Sequence, residues 1–379
     1  MTYKYPLASD TIDRKDIDNL IEWLDDMPRL TMGNLTRQFE QKWADFIGTK
    51  YSVYVNSGSS ANLLMAYSLL NTGKLKHKKF LVPSCGWITT ISPFIQFGIE
   101  PIMVDSNPIN FGIDLNIVED YLKKDIVDGF ILVHVLGVPH NRKDILFLKD
   151  KYGCQVLEDC CQSVGAQYGN GEYLGVVGDM SSFSFYFGHQ LSSIEGGFIN
   201  LDDKLMYEQL LKLRSHGWVK DLPKDEYEND ENYPFIFLEP GFNVRPTDLQ
   251  AFIGLGQVDK AEEIFLKRSQ NHIRYTQKMS NRFEFQDWKR AVPVSLHIGI
   301  LAESKEHRKA VVDNCKQNGI ETRIWSHGNL GRHPYWISRY GEFTGEIANK
   351  IYERGFIVPT HPDMDLEDID IVAEVCNEA

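Results

Sequence analysis

The chain has no apolar stretch that approaches the roughly 20 residues a bilayer-spanning helix needs, so no membrane segment is expected. Its opening residues, Met1 to Leu7, hold no basic stretch followed by an apolar one, which predicts no secretion leader. Cysteine is scarce: Cys85, Cys154, Cys160, Cys161, Cys315 and Cys376 are spaced neither as a disulfide framework nor as paired CxxC knuckles. Cys154, Cys160 and Cys161 lack a fourth cysteine nearby, so neither an iron–sulfur cluster nor another metal is expected. Positive charge is in short supply too. The 40 Lys and Arg against 53 Asp and Glu leave a net charge of −13, which argues against a nucleic-acid partner. A single nucleotide stays within reach of a few backbone amides and arginines. Internal repeats and low-complexity tracts are missing as well, and together these absences predict a cytoplasmic globular protein.

The hydrophobic fraction of 42% and charged fraction of 25% are those of a folded soluble chain, and 379 residues suffice for one large core plus a smaller domain. Leu35, Phe39, Trp43 and Phe46 recur at helical spacing, with Asn34 as the expected cap and Gly48 as the stop. Strands are expected at Tyr51–Val55, Phe80–Val82, Ile102–Val104, Gly129–Val135, Cys154–Leu157 and Ser181–Phe187, with helical segments between them. This alternation predicts an α/β fold with a large, mainly parallel sheet covered by helices on both faces, over residues 1–245. The acidic stretch Asp221–Glu239 reads as a surface excursion. After Pro246 one long helix is expected from Thr247 to Arg282, then strands Val294–Leu301 and Ile320–Trp325 and three further helices, giving a smaller α+β domain over 246–379.

Small residues fill the turn from Asn56 to Asn62, where a strand becomes a helix. Backbone N–H groups at Gly58 and Ser59 would there face one point and suit a phosphate, although an ordinary turn accounts for the same residues. Glu158 and Asp159 end an apolar strand, with Gln162 close behind. A buried strand-end carboxylate needs a partner, and either a cofactor ring N–H or a helix start provides one. The run Phe183–Gly197 reads as a strand, a turn holding His189, and a second strand led by Gly196 and Gly197.

Together these segments resemble the DegT-like sugar aminotransferases, which are fold-type I pyridoxal-phosphate (PLP) enzymes. The resemblance runs from Tyr5 through Thr31-Met32-Gly33, the segments above, Arg214–Trp218 and Gly241–Arg245 to Gly319–Arg323 and Gly328-Asn329, nearly the whole chain. It implies Gly58, Ser59 and Ser184 at the cofactor phosphate, Asp159 on the ring nitrogen, Gln162 near the ring hydroxyl and Trp87 stacked on the ring. It also implies Asn243 reaching the phosphate from a neighbouring subunit, hence a homodimer with shared active sites. His216, Arg323 and Asn329 are the candidate substrate contacts, Arg323 because a guanidinium fork suits an anion.

At the position of the family's Schiff-base lysine this chain has His189. An imidazole forms no lasting imine but moves protons near neutral pH, which redirects the expected chemistry from transamination to dehydration. The His-for-Lys branch that this sequence resembles removes the C3 hydroxyl of a nucleotide-linked 4-keto-6-deoxy sugar, GDP-4-keto-6-deoxymannose, for surface polysaccharides. It uses pyridoxamine phosphate (PMP) regenerated by glutamate, and no iron–sulfur cluster. Two other readings fit the same residues: a PLP-dependent nucleotide-sugar aminotransferase in which His189 is an engineered substitution, and a non-catalytic relative that only binds a sugar nucleotide.

Overall fold

The computed structural model describes residues 3–222, 227, 229–233, 235–288, 291–325 and 328–379. Its strands are β1 Tyr51–Val55, β2 Lys79–Pro83, β3 Glu100–Val104, β4 Gly129–Val133, β5 Gln155–Asp159, β6 Gln167–Tyr168, β7 Met180–Ser184, β8 Gly197–Leu201, β9 Ala291–Val292, β10 Ile298–Leu301, β11 Arg323–Ile324 and β12 Gly355–Val358. Seven of them form one sheet in the order β1-β8-β7-β5-β4-β2-β3. The pairs within β3-β2-β4-β5-β7 are parallel, and β8 runs antiparallel between β7 and β1. β4, β7 and β8 are buried along their whole length, as strands covered on both faces must be.

Two apolar layers cover this sheet. On one side Phe39 and Trp43 of the helix Asn34–Ile47 pack with Tyr54, Phe183, Phe185 and Phe198. On the other, Leu64, Met65 and Leu69 of the helix Gly58–Asn71 pack with Phe80, Ile131 and Ile199. β10, β12 and β11 form a second, antiparallel sheet with its own core, to which Tyr5 of the N-terminal segment contributes. Among the described residues no helix is long and apolar enough to cross a membrane.

Three local expectations are corrected. The helix expected to be capped by Asn34 starts there, with Gly33 at its cap position. Its free amides are met from far along the chain: the Asp248 carboxylate accepts from the N–H groups of Gly33 (2.8 Å), Leu35 (3.2 Å) and Thr36 (2.9 Å). The single helix expected from Thr247 to Arg282 is two, Asp248–Asp259 and Ala261–Lys278. Between them Lys260 leaves helical geometry, and its ammonium reaches the Thr11 carbonyl (2.7 Å) and the carboxylates of Asp13 (2.7 Å) and Asp16 (2.6 Å). The first of these helices, just past the expected division at 245/246, packs on the helix Asn34–Ile47. Finally, the later strands are shorter than expected, with β10 covering only Ile298–Leu301 and β11 only Arg323–Ile324. Within the acidic stretch Asp221–Glu239, residues 223–226, 228 and 234 lie outside the described residues.

Candidate active site

The parallel strands of the large sheet all end at one edge, and the turns that leave β1, β2, β5 and β7 enclose a cavity of about 710 Å³ there. Such an edge is where open α/β sheets place ligands. The smaller sheet and the segment leading into it close the opposite wall, with Arg323, Ile324 and Ile357 from the sheet and Leu296 and His297 just before β10.

One end of the cavity is the turn between β1 and the helix Gly58–Asn71. Ser57 caps that helix, its Oγ accepting from Ser60 N (3.0 Å). The N–H groups of the first turn have no acceptor within the helix and lie at its positive end, a ready site for an anion. Gly58 and Gly197 keep this backbone bare. A Cβ on Gly58 would stand 2.8 Å from both Cys161 Sγ and Ser184 Cβ, and one on Gly197 would stand 2.4 Å from Gly58 N. Ser184 closes β7 beside this turn, so Gly58, Ser59 and Ser184 share this end of the cavity.

The middle of the cavity holds Asp159, 3% exposed at the end of β5. Its Oδ2 accepts from Asn62 Nδ2 (2.9 Å) and Thr90 Oγ1 (2.6 Å), and its Oδ1 from Cys161 N (3.0 Å). Ser182 Oγ in turn donates to Asn62 Oδ1 (2.7 Å), which fixes the amide. Three donors on four lone-pair positions leave one acceptor site on Oδ1. The neighbouring Glu158 faces the opposite side of the strand. It is fully buried and accepts from Val177 N, Gly178 N and the His134 ring, so the two carboxylates of the motif have separate duties. Trp87, at the start of the helix Ile88–Gln96, is 46% exposed and lines the cavity. Gln162 lines it as well, its Oε1 accepting from Leu136 N (3.3 Å).

His189 sits on the turn after β7. Gly188 takes a positive φ of 84°, and His189 N donates back to the Tyr186 carbonyl (3.0 Å), so the chain reverses tightly enough to turn the imidazole inward. Its Nδ1 lies 2.6 Å from the Cys161 carbonyl. A carbonyl only accepts, so Nδ1 carries the proton and Nε2 keeps its lone pair. Burial pushes the imidazolium down to about 4, leaving a neutral ring near pH 7. No lysine is among the described residues that line the cavity. The Cys161 thiol, also on the wall, is pushed well up by burial.

Arg323 reaches the cavity rim with a largely exposed side chain, Nη2 being 3.1 Å from Glu321 Oε1. The other three candidates lie elsewhere. Asn243 is exposed on the loop before the helix Asp248–Asp259 and pairs with Ser215. His216, with a φ of 62°, lies beside Trp218, the ring centroids 5.0 Å apart and the planes tilted by 58°. Asn329 is fully buried. Its amide donates to Phe343 O (3.0 Å) and Asn349 Oδ1 (2.9 Å) and its oxygen accepts from Gly331 N (2.9 Å), so the expected substrate contact is a local cap. Sequence reasoning missed Asn62 and Thr90, which hold Asp159, and His297. The first two carry helical spacing as their only sequence signal, and His297 carries none.

Residues 11–377 match the DegT/DnrJ/EryC1/StrS aminotransferase family. The chain belongs to this family. It is 33% identical to a GDP-4-keto-6-deoxy-D-mannose 3-dehydratase of Yersinia pseudotuberculosis over 94% of either chain. Its fold matches the Escherichia coli GDP-4-keto-6-deoxy-D-mannose-3-dehydratase with bound hydrated PLP, at a TM-score of 0.91 and 29% identity, over 99% of this chain and 100% of the other. A mutant of GDP-4-keto-6-deoxymannose-3-dehydratase with bound GDP-perosamine matches at a TM-score of 0.90 and 29% identity, over 98% and 100%. The likeness to the dehydratases therefore spans both sheets and the cavity between them.

Proposed function

We propose that this family member is a PMP-dependent 3-dehydratase of a nucleotide-linked 4-keto-6-deoxy sugar, GDP-4-keto-6-deoxymannose, with glutamate as the amino donor. The observation that carries the reading is a cavity with a neutral, singly anchored imidazole at the position of the family's lysine and no lysine among the described lining residues. The relatives named 3-dehydratases supply the sugar and its nucleotide.

The donor set fits a phosphorylated pyridine cofactor. The amides of Gly58 and Ser59 with the Ser184 hydroxyl would hold the phosphate, Trp87 would cover the ring, and the open position on Asp159 would take the ring N–H. When bound, the cofactor supplies an electron sink for a carbon that loses a proton. His189 accepts that proton at Nε2 while Nδ1–H stays on the Cys161 carbonyl, and the resulting imidazolium delivers it to the departing C3 hydroxyl, which leaves as water. Asn62 and Thr90 keep the Asp159 carboxylate in place throughout. C3 would take its new proton from solvent, and water would release the nitrogen as ammonia and leave a 3-deoxy-4-keto sugar. The two electrons come from the cofactor amine, which would be left as the aldehyde for glutamate to recharge, with no lysine among the described lining residues to capture it.

Asn243 and His216 are not among the residues that line the cavity of their own chain, one being exposed and the other beside Trp218, which supports a homodimer in which they serve the neighbouring site. The six cysteines are free, in keeping with a reducing cytoplasm. The test is incubation with glutamate, PLP and GDP-4-keto-6-deoxymannose. Ammonia and a 3-deoxy product are expected; an amino sugar in their place would contradict the proposal.

A further inference from the structure

The cavity contains a second imidazole. His297, just before β10, lines the same wall as Arg323. Its Nδ1 is enclosed and has no hydrogen-bond partner among the described residues. An N–H shut away without an acceptor is rarer than an under-used acceptor lone pair, so the proton belongs on Nε2, on the edge of the ring that remains open to the cavity. His189 is the opposite case, with Nδ1–H donating to the Cys161 carbonyl and the lone pair on Nε2. One ring therefore offers an acceptor to the cavity and the other a donor.

The two imidazoles are tied to each other through their backbones. Arg268 is fully buried in the helix Ala261–Lys278. Its Nη1 donates to the carbonyls of Ser295 (3.3 Å) and Leu296 (3.1 Å), and its Nη2 to the carbonyl of His189 (3.4 Å). Gln190 Nε2 adds bonds to the carbonyls of Gln162 and Val294, both at 2.9 Å. A buried guanidinium and a buried amide thus clamp the turn carrying His189 onto the segment carrying His297. Such a clamp is what a constellation needs to keep two side chains in fixed register.

We propose that His297 is a second substrate-contacting residue of this site, whose Nε2–H donates a hydrogen bond to an oxygen of the reactant on which His189 acts. The reactant's identity rests on the dehydratase reading; the donor role rests on the cavity geometry. His297 does not give up its proton, since a neutral imidazole losing its last N–H would become an imidazolate. It holds the oxygen while the proton travels through His189 Nε2. The acceptor is a hexose oxygen in the sugar half-reaction or a carboxylate oxygen of the amino donor in the other.

The holoenzyme carrying His297→Phe or His297→Gln separates these. The glutamate arm is the change of the bound PLP absorbance band to that of PMP; the sugar arm is release of ammonia and deoxy product. The Phe variant is expected to lose about tenfold or more in kcat/KM in at least one arm, mainly through KM, and the Gln variant, which keeps a donor near Nε2, is expected to recover most of it. Loss confined to the sugar arm assigns a hexose oxygen, and loss confined to the glutamate arm assigns the carboxylate; loss in both that Gln restores assigns both. Unchanged kinetics in the Phe variant, or losses that Gln does not restore, overturn the proposal. A readout free of turnover is ¹⁵N NMR of the histidines in the cofactor-free protein, with His297 assigned from the Gln variant. Protonation at Nε2 is expected, and protonation at Nδ1 refutes it. A wild-type enzyme without dehydratase activity would count against the proposed reaction and leave the NMR result to decide on His297.

Discussion

In the proposed reaction His189 depends on what its other nitrogen does. Pinning Nδ1–H to the Cys161 carbonyl at 2.6 Å removes the freedom to switch tautomer, and a base with a fixed lone pair is worth about 10²–10⁴-fold in rate. Replacing it by lysine restores the amine that the family's aminotransferases use. For His189→Lys we expect a covalent link between chain and cofactor that borohydride reduces, seen as a mass increase, together with loss of deoxygenation. Retained deoxygenation would exclude the imidazole as the base. The same residue sets a pH dependence. Its imidazolium is held down to about 4 by burial, and those of the buried His140 and of His297 down to about 3. Between pH 6.5 and these values the unfolded chain binds protons that the folded chain refuses. The stability these rings contribute is thus complete above pH 6.5 and is lost as the pH falls through 4. Urea unfolding of the cofactor-free protein should show a midpoint that declines from pH 6.5 to 5, and His189→Asn should remove about one proton from that slope near pH 5. An unchanged slope in the variant would mean that the ring titrates normally in the folded state.

At the scale of elements the site depends on how closely β8 crosses the turn after β1. A Cβ on Gly197 would meet Ser57 C and Gly58 N, both at 2.4 Å, and these are backbone atoms with nowhere to go. Gly197→Ala is therefore expected to destabilise the fold by about 1–3 kcal/mol and to weaken PLP binding more than stability alone explains, measured by denaturant unfolding and by cofactor titration. A fully stable variant with native PLP affinity would show that the turn tolerates being pushed aside. This turn was legible in the sequence, as were the strand–helix alternation, Asp159 and the run Phe183–Gly197, because each is a local pattern of apolar periodicity broken by small or charged residues. What the sequence hid is carried by contacts between distant residues. Asp248 caps a helix that begins more than two hundred residues earlier. Lys260 breaks a helix with neither proline nor glycine at the break, because its ammonium is drawn to Asp13 and Asp16. Asn329, beside Gly328, carries the pattern of a substrate ligand, but its amide is closed on Phe343 and Asn349 by contacts that no local pattern shows. His297 has no motif of its own and gains meaning only when the smaller sheet folds over the larger.

For the whole molecule the decisive feature is that the residues assigned to one site divide into two groups within one chain. Gly58, Ser59, Trp87, Asp159, Gln162, Ser184, His189 and Arg323 share one cavity. Asn243 lies on an exposed loop outside it, although its neighbour Val244 accepts from Asn56 N (3.0 Å), at the end of β1. That loop is therefore held firmly while its side chain points to solvent, which costs nothing if a second copy covers it. In a two-fold dimer every contact is made twice, so Asn243 of one subunit would complete the phosphate cradle of the other. Subunit mixing tests this at the level of the assembly. In a dimer with shared sites, His189→Asn would remove the base from both sites and Asn243→Ala would remove the borrowed amide from both. Unfolded and refolded together in equal amounts, half of the dimers are mixed, and each mixed dimer has one site with both defects and one with neither. Activity should rise from near zero to about a quarter of wild type. If His189 and Asn243 served the same site from the same chain, mixing would restore nothing.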